Sequence, residues 1–290
     1  MMKVKMNMNM NMKMKMKIDI KRVLVLTLNT LMKEYHNKTL LMIFIFTIIM
    51  LTLGEYLFNM FSSFKLIGVP MFANKMTFFY MLASFWSMVL GVILGATIVR
   101  SDFGVGVISE ILAWPIKRSE YLLARVLGAI GIIGIYFILV TILLLFFYIL
   151  NPTGDNAGDL LLLFGRTLAA FFFNLLAIVS IILIGMLFSF YLSKTWTYFA
   201  MIFAIILMAS AGVRMNEGGW ESVNLSSLWS CILAIIYYIF PRTAVSYSLA
   251  QDIFFQQTIK FNMLVELVHY LVTTSLLALG IHLLFKRKEF

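Results

Sequence analysis

Hydrophobic positions along this 290-residue chain mostly lack the spacing of a helix with one wet face; they run on without interruption. Apolar stretches occupy residues 39–60, 77–99, 127–150, 166–192, 196–213 and 263–285. A hydrocarbon crossing takes about 20 apolar residues, so each stretch predicts one transmembrane helix once some tilt is allowed. The segment from Ile18 to Lys38 differs, setting Leu24, Leu26, Leu28, Leu31, Met32 and Tyr35 among Lys21, Arg22, Lys33, Glu34 and Lys38. That mixture predicts a helix lying in the membrane interface. Leu228 to Phe240 is apolar but only 13 residues long, and it stops at Pro241-Arg242. Too short to cross, it predicts a re-entrant or interfacial helix on the outer side, between spans 5 and 6. Residues 1–17 alternate Met, Lys and Asn and contain no signal-peptide core, so the first span is expected to be retained.

The expected fold is therefore an all-α integral membrane domain over 18–290, preceded by a low-complexity tail over 1–17. Composition agrees, since 62% hydrophobic and 12% charged residues exclude an ordinary soluble domain. The formal charge of +10 could suggest nucleic acid in a soluble protein, but here its distribution reports topology. With six spans and the N-terminus inside, 17 of the 23 Lys and Arg residues fall on inner segments. The outer ones hold only Lys65, Lys75, Arg166, Arg214, Arg242 and Lys260. A seventh span would strand Lys286, Arg287 and Lys288 outside, against that tendency. The expectation is a multi-pass protein of the cell membrane with both termini and residues 100–126 in the cytoplasm. Its partners would be lipid and protein, not nucleic acid.

Candidate chemistry is sparse. No GxxxxGK[ST] occurs and no Lys follows a Gly, so the chain lacks the phosphate cradle of a P-loop ATPase. HExxH and GxSxG are absent, and His36, His269 and His282 lie on separate segments. Cys231 is the single cysteine and cannot form an intrachain disulfide. No catalytic, cofactor or metal residue is expected. Eight methionines among the first 16 residues are soft donors, but an alternating Met/Lys/Asn tract is read more simply as low complexity. Glu55, Glu266 and His269 fall near span ends, where a structural role at headgroup level competes with substrate gating. Trp196, Trp220 and Trp229 read as interface anchors and Trp86 as packing.

The informative stretch is the loop Arg100–Gly128, RSDFGVGVISEILAWPIKRSEYLLARVLG. Gly104 and Gly106 precede a short amphipathic helix pattern at Val107, Ile108, Ile111 and Leu112, which predicts a cytoplasmic helix between spans 2 and 3; Trp114-Pro115 and the charged Lys117, Arg118 and Glu120 follow. A rigid Trp-Pro knob beside charges suits docking of another protein. The competing reading is a helix that turns the chain around on the lipid surface.

This loop resembles the coupling segment of type-2 ABC transporter permeases, nearest those associated with multi-copper-enzyme maturation. In that comparison Asp102 stands for the leading Glu of the pattern and Gly106 for its Gly. Ile111-Leu112 matches an aliphatic pair and Pro115-Ile116 a Pro-hydrophobic step, while Arg118, Glu120 and Arg125 take the places of an Arg, an acid and a Lys. Val107, Lys117 and Ala124 depart from the pattern. Leu28–Phe46 looks like the family's entry into its first span, and Ile235–Leu249 is similar to its outer segment. The resemblance implies a permease subunit, an exporter by expectation, paired with a second permease subunit and with separate subunits that bind ATP. Contact with the ATPase would involve Asp102, Gly106, Glu110, Trp114, Pro115, Ile116, Lys117, Arg118, Glu120, Tyr121 and Arg125. An intramembrane enzyme and a non-catalytic assembly factor are the rival classes.

Overall fold

A computed structural model describes residues 19–54, 56, 60, 65–66, 69–70, 75–104, 116–150, 160–218, 227–256 and 262–287. Helix α1 spans Ile20–His36, where Asp19 caps the N-terminus by accepting from the Lys21 backbone N–H at 3.1 Å. Lys38, in the left-handed region at φ 57°, ends it and starts α2, Thr39–Thr52, at a 55° bend. Lys65–Leu66 and Val69–Pro70 pair as a two-residue antiparallel ladder. The remaining helices are α3 (Lys75–Thr97), α4 (Arg100–Gly104), α5 (Arg118–Leu150), α6 (Leu160–Ser189), α7 (Lys194–Gly218), α8 (Leu228–Ile239), α9 (Thr243–Phe255) and α10 (Met263–Arg287).

Helices α3, α5, α6, α7 and α10 are long and apolar enough to cross a membrane, and the bent pairs α1–α2 and α8–α9 raise the number of candidate spans to seven at most. The protein is a helical bundle of multi-pass character. Its centre is the crossing of α3 and α6, where Gly91 and Gly95 lie one turn apart. A Cβ on Gly95 would come within 3.2 Å of the Ile182 backbone, and one on Gly185 within 2.8 Å of the Gly95 backbone. Small residues let helix backbones approach where lipid offers no hydrophobic drive.

Contacts fix the directions of the helices. Phe285, near the end of α10, stacks on Tyr121 at the start of α5 and meets Phe190, just past the end of α6. Tyr80 near the start of α3 stacks on Phe171 of α6 and on Phe254 at the end of α9. Gly212, late in α7, faces Ala244 at the start of α9. One end of the bundle thus gathers α1, α4 and the start of α5 with the ends of α6 and α10; we call it the basic end.

Two differences from the sequence expectation have physical causes. Helix α5 begins at Arg118, nine residues before the apolar run at 127, because pairing neutralises the charged Arg125 in its first turns. Over α9 the sequence predicts only outer loop, since its Ser, Thr, Gln and Asp residues lower its apolarity. The helix is nonetheless packed inside the protein through Val245, Leu249, Ala250 and Phe254. The Leu228–Phe240 helix is present as α8 and ends at Pro241. The expected helix through Val107–Leu112 lies outside the described residues.

Candidate functional site

Asp102 is the centre of the basic end. It sits in the short α4, 1% exposed. Its Oδ1 accepts from Lys33 Nζ at 2.5 Å, and its Oδ2 accepts from Arg125 Nη2 at 2.5 Å and from the Tyr121 hydroxyl at 2.6 Å. Lys33 also donates to Ser101 Oγ, and Arg125 Nη1 donates to Thr30 Oγ1, both at 2.8 Å. A buried carboxylate is tolerable because two cations and a hydroxyl replace its lost hydration. Four elements are joined by this one side chain and its partners: α1 through Thr30 and Lys33, α4 itself, and α5 through Tyr121 and Arg125. The fourth is α10, reached through the stack of Tyr121 on Phe285.

The local folding of α1 makes this possible. Val23, Thr30 and Glu34 are buried on one face, while Leu24, Leu28, Met32 and Tyr35 remain exposed. The helix therefore turns Thr30 and Glu34 inward and leaves large apolar side chains outside, an arrangement that suits a helix whose outer face meets lipid. Thr30 packs directly on Gly128, where a Cβ would come within 2.6 Å of the Thr30 side chain. Burial pushes the Glu34 carboxyl above the usual carboxylate range, opposed by Lys33 and Arg125 nearby.

Two further residues of the motif fasten the same region. Glu120 Oε2 accepts from the Lys117 N–H at 3.1 Å, the reciprocal half of a capping box at the start of α5. Its Oε1 accepts from the Asp19 N–H at 3.0 Å, holding down the start of α1. Arg118 Nη1 donates to the Phe285 and Lys286 carbonyls at 3.0 and 2.9 Å, a cation on the negative end of α10.

Of the eleven residues picked out by the sequence, Asp102, Ile116, Lys117, Arg118, Glu120, Tyr121 and Arg125 are described, and they surround this junction. Gly106, Glu110, Trp114 and Pro115 lie outside the described residues. Asp102, Glu120, Tyr121 and Arg125 are buried within the chain, so they can affect a partner only by positioning the loop between them. The sequence reading missed Thr30, Lys33 and Ser101. A Lys-Glu pair on the inward face of α1 was the only local signal for them.

At the opposite end, Arg242 follows Pro241 at the 67° bend between α8 and α9. Its Nη1 donates to Glu266 Oε1 of α10 at 2.7 Å, and its guanidinium lies 4.2 Å from the Tyr237 ring centre. His269 Nε2 is 3.1 Å from the Tyr238 carbonyl. Arg242 Nε, Glu266 Oε2 and His269 Nδ1 are buried without a hydrogen-bond partner. Glu55 and Trp220, which the sequence also singled out, lie outside the described residues. Trp86 packs against Phe46 and Phe85, and Trp196 and Trp229 are exposed near helix starts. Among the described residues no three His, Cys, Asp or Glu side chains converge. Comparison of the chain with protein-family models, with curated proteins and with solved structures gives no match.

Proposed function

We propose that the chain is the membrane permease subunit of an ATP-driven transporter of the type-2 ABC kind, working as an exporter with a second permease subunit and separate ATP-binding subunits. The observation that carries this reading is the Asp102 junction. A loop that receives a push from an ATPase must be fastened at both ends to the elements it moves, and the ends of the 105–117 loop are fastened to α1, α5 and α10 through Asp102, Arg118, Glu120, Tyr121 and Arg125. In this mechanism Trp114-Pro115-Ile116 docks on the partner, and the buried charges transmit its displacement as a rigid-body shift of the bundle.

The reading places the basic end in the cytoplasm of a cell-membrane protein, consistent with the positive-inside tendency. It takes α8–α9 as a re-entrant hairpin, giving six crossings. Helix direction supports this: α7 ends, and α10 begins, at the end opposite the basic one, so the intervening hairpin enters and leaves by the same side. The described interior contains few ionisable groups away from the two ends, which suits an amphipathic cargo better than an ion.

The test is capture of an ATP-binding subunit encoded beside the chain, with wild type and Trp114→Ala at matched membrane expression. Loss of a buried aromatic anchor should cost about 2 kcal/mol, roughly thirtyfold in association. Undiminished capture together with undiminished ATPase stimulation would remove the mechanical role of the loop.

A further inference from the structure

Helix α10 is held to the bundle at two levels. In its first third the Tyr270 hydroxyl donates to the Leu176 carbonyl of α6 at 2.7 Å, and near its end Arg118 binds the Phe285 and Lys286 carbonyls. These ties are 15 residues apart, about 22 Å along a helix. Between them α10 stands off from α5 and α6, leaving an open cleft of about 390 Å³. The cleft walls are apolar along most of their length, with Leu122 and Val126 on α5 and Leu183 and Met186 on α6. Polar groups stand at both ends: Ser119 and His282 at the basic end, on facing walls, and Thr274 and Ser275 at the other.

We propose that this cleft holds one acyl chain of an anionic phospholipid from the surrounding leaflet, with its phosphate bound by His282, Lys286 and Arg287. Size selects the chain. The cleft follows α10 from Thr274 to His282, about 12 Å of helix rise, comparable with the roughly 15 Å hydrocarbon depth of one leaflet. Charge selects the headgroup. Thr274, Ala278 and His282 line the cleft at four-residue steps, and Lys286 is the next residue of that stripe. Lys286 and Arg287 are both exposed, and in the sequence Lys288 follows them with Glu289 as the single acid of the terminal stretch. Basic groups at the mouth of a cleft between transmembrane helices suit an anionic headgroup. The inference needs a membrane but not the transporter reading, and it stands if that reading fails.

Native mass spectrometry of the full chain, released from detergent micelles, tests it with phosphatidylglycerol and phosphatidylcholine of identical acyl chains. Wild type should retain the phosphatidylglycerol about tenfold better, as expected for one to two basic contacts. The exposed-site variant Lys286→Glu/Arg287→Glu should lose that preference while still holding phosphatidylcholine. Ala278→Trp, which fills the cleft from its lipid-exposed side, should lower retention of both lipids. Equal retention of the two lipids by wild type would overturn the headgroup assignment, as would an unchanged preference in the double variant. Wild-type lipid retention by Ala278→Trp would overturn the cleft assignment. So would a dimer that Ala278→Trp dissociates at unchanged lipid occupancy, which would put a second copy there instead.

Discussion

Both ends of the bundle carry a buried ion pair, and the two are built differently. Around Asp102 both carboxylate oxygens are occupied, by two cations and a tyrosine hydroxyl, and only Arg125 Nε lacks a partner. Around Glu266 a single bond to Arg242 leaves Oε2 without a partner, and Arg242 Nε and His269 Nδ1 beside it are also unpartnered. A saturated network fixes one geometry, whereas orphaned buried groups carry a penalty that another arrangement could relieve. The first joins four elements at the basic end; the second lies at the bend of the α8–α9 hairpin. At one end both carboxylate oxygens are hydrogen-bonded, and at the other buried polar atoms remain without hydrogen-bond partners.

Removing Asp102 should produce the largest effect. Asp102→Leu strands Arg125, whose side chain is 5% exposed, and breaking a buried pair costs about 3–5 kcal/mol. Adding Arg125→Met should recover more than half of the loss, because replacing both partners by apolar residues is often neutral. Lys33, 34% exposed, can turn its ammonium to water once its partner is gone. Unfolding in detergent measured for the two single variants and the double variant checks this. A double variant as unstable as the sum of the singles would mean that the cluster does not act as a unit.

A smaller loss is expected from Tyr121→Phe, which keeps the stack on Phe285 and deletes only the hydroxyl donated to Asp102. Hydrogen bonds to charged groups contribute about 1.5–3 kcal/mol. Glu266→Gln at the other end should cost less, about 1 kcal/mol, because the amide oxygen of Gln can still accept from Arg242 and the cation keeps the Tyr237 ring face. If Glu266→Gln destabilises more than Tyr121→Phe in the same unfolding assay, the two ends are not unequal in the way described.

How legible each end was in the sequence follows from the range of its interactions. The long spans announce themselves because apolar runs need no partner to be recognised, and Pro241 marks the end of α8 by local chemistry alone. The partnership of Lys33 with Asp102 spans 69 residues, and nothing near either residue names the other. Arg118, Glu120 and Arg125 were found as a pattern, but not that Glu120 and Arg125 are buried or that all three bond within the chain, because burial is a property of packing. Helix α9 escaped for the opposite reason. Its residues Thr243, Ser246 and Ser248 weaken the apolar signal, while the walls it packs against come from α3, α6 and α7, far away in sequence.

The smallest effect distinguishes the two ends most finely. Among the described residues each has one non-glycine residue in the left-handed region, Lys38 at φ 57° between α1 and α2 and Gln256 at φ 56° after α9. That backbone costs an L-residue about 1–2 kcal/mol, and glycine removes the cost while adding roughly 0.5–1 kcal/mol of unfolded-state entropy. At Lys38, exposed and making no side-chain cap bond, the two nearly cancel, so Lys38→Gly should leave stability unchanged or raise it by a few tenths of a kcal/mol. Gln256 has more to lose, because with its amide oxygen turned toward α6 it can accept from the Arg166 guanidinium. Gln256→Gly should therefore destabilise by about 1 kcal/mol. Gln256→Asn, which tolerates the left-handed region but has a side chain one methylene shorter, separates backbone from contact. A variant as stable as wild type would assign the position to backbone geometry, and one as unstable as Gln256→Gly would assign it to the bond with Arg166.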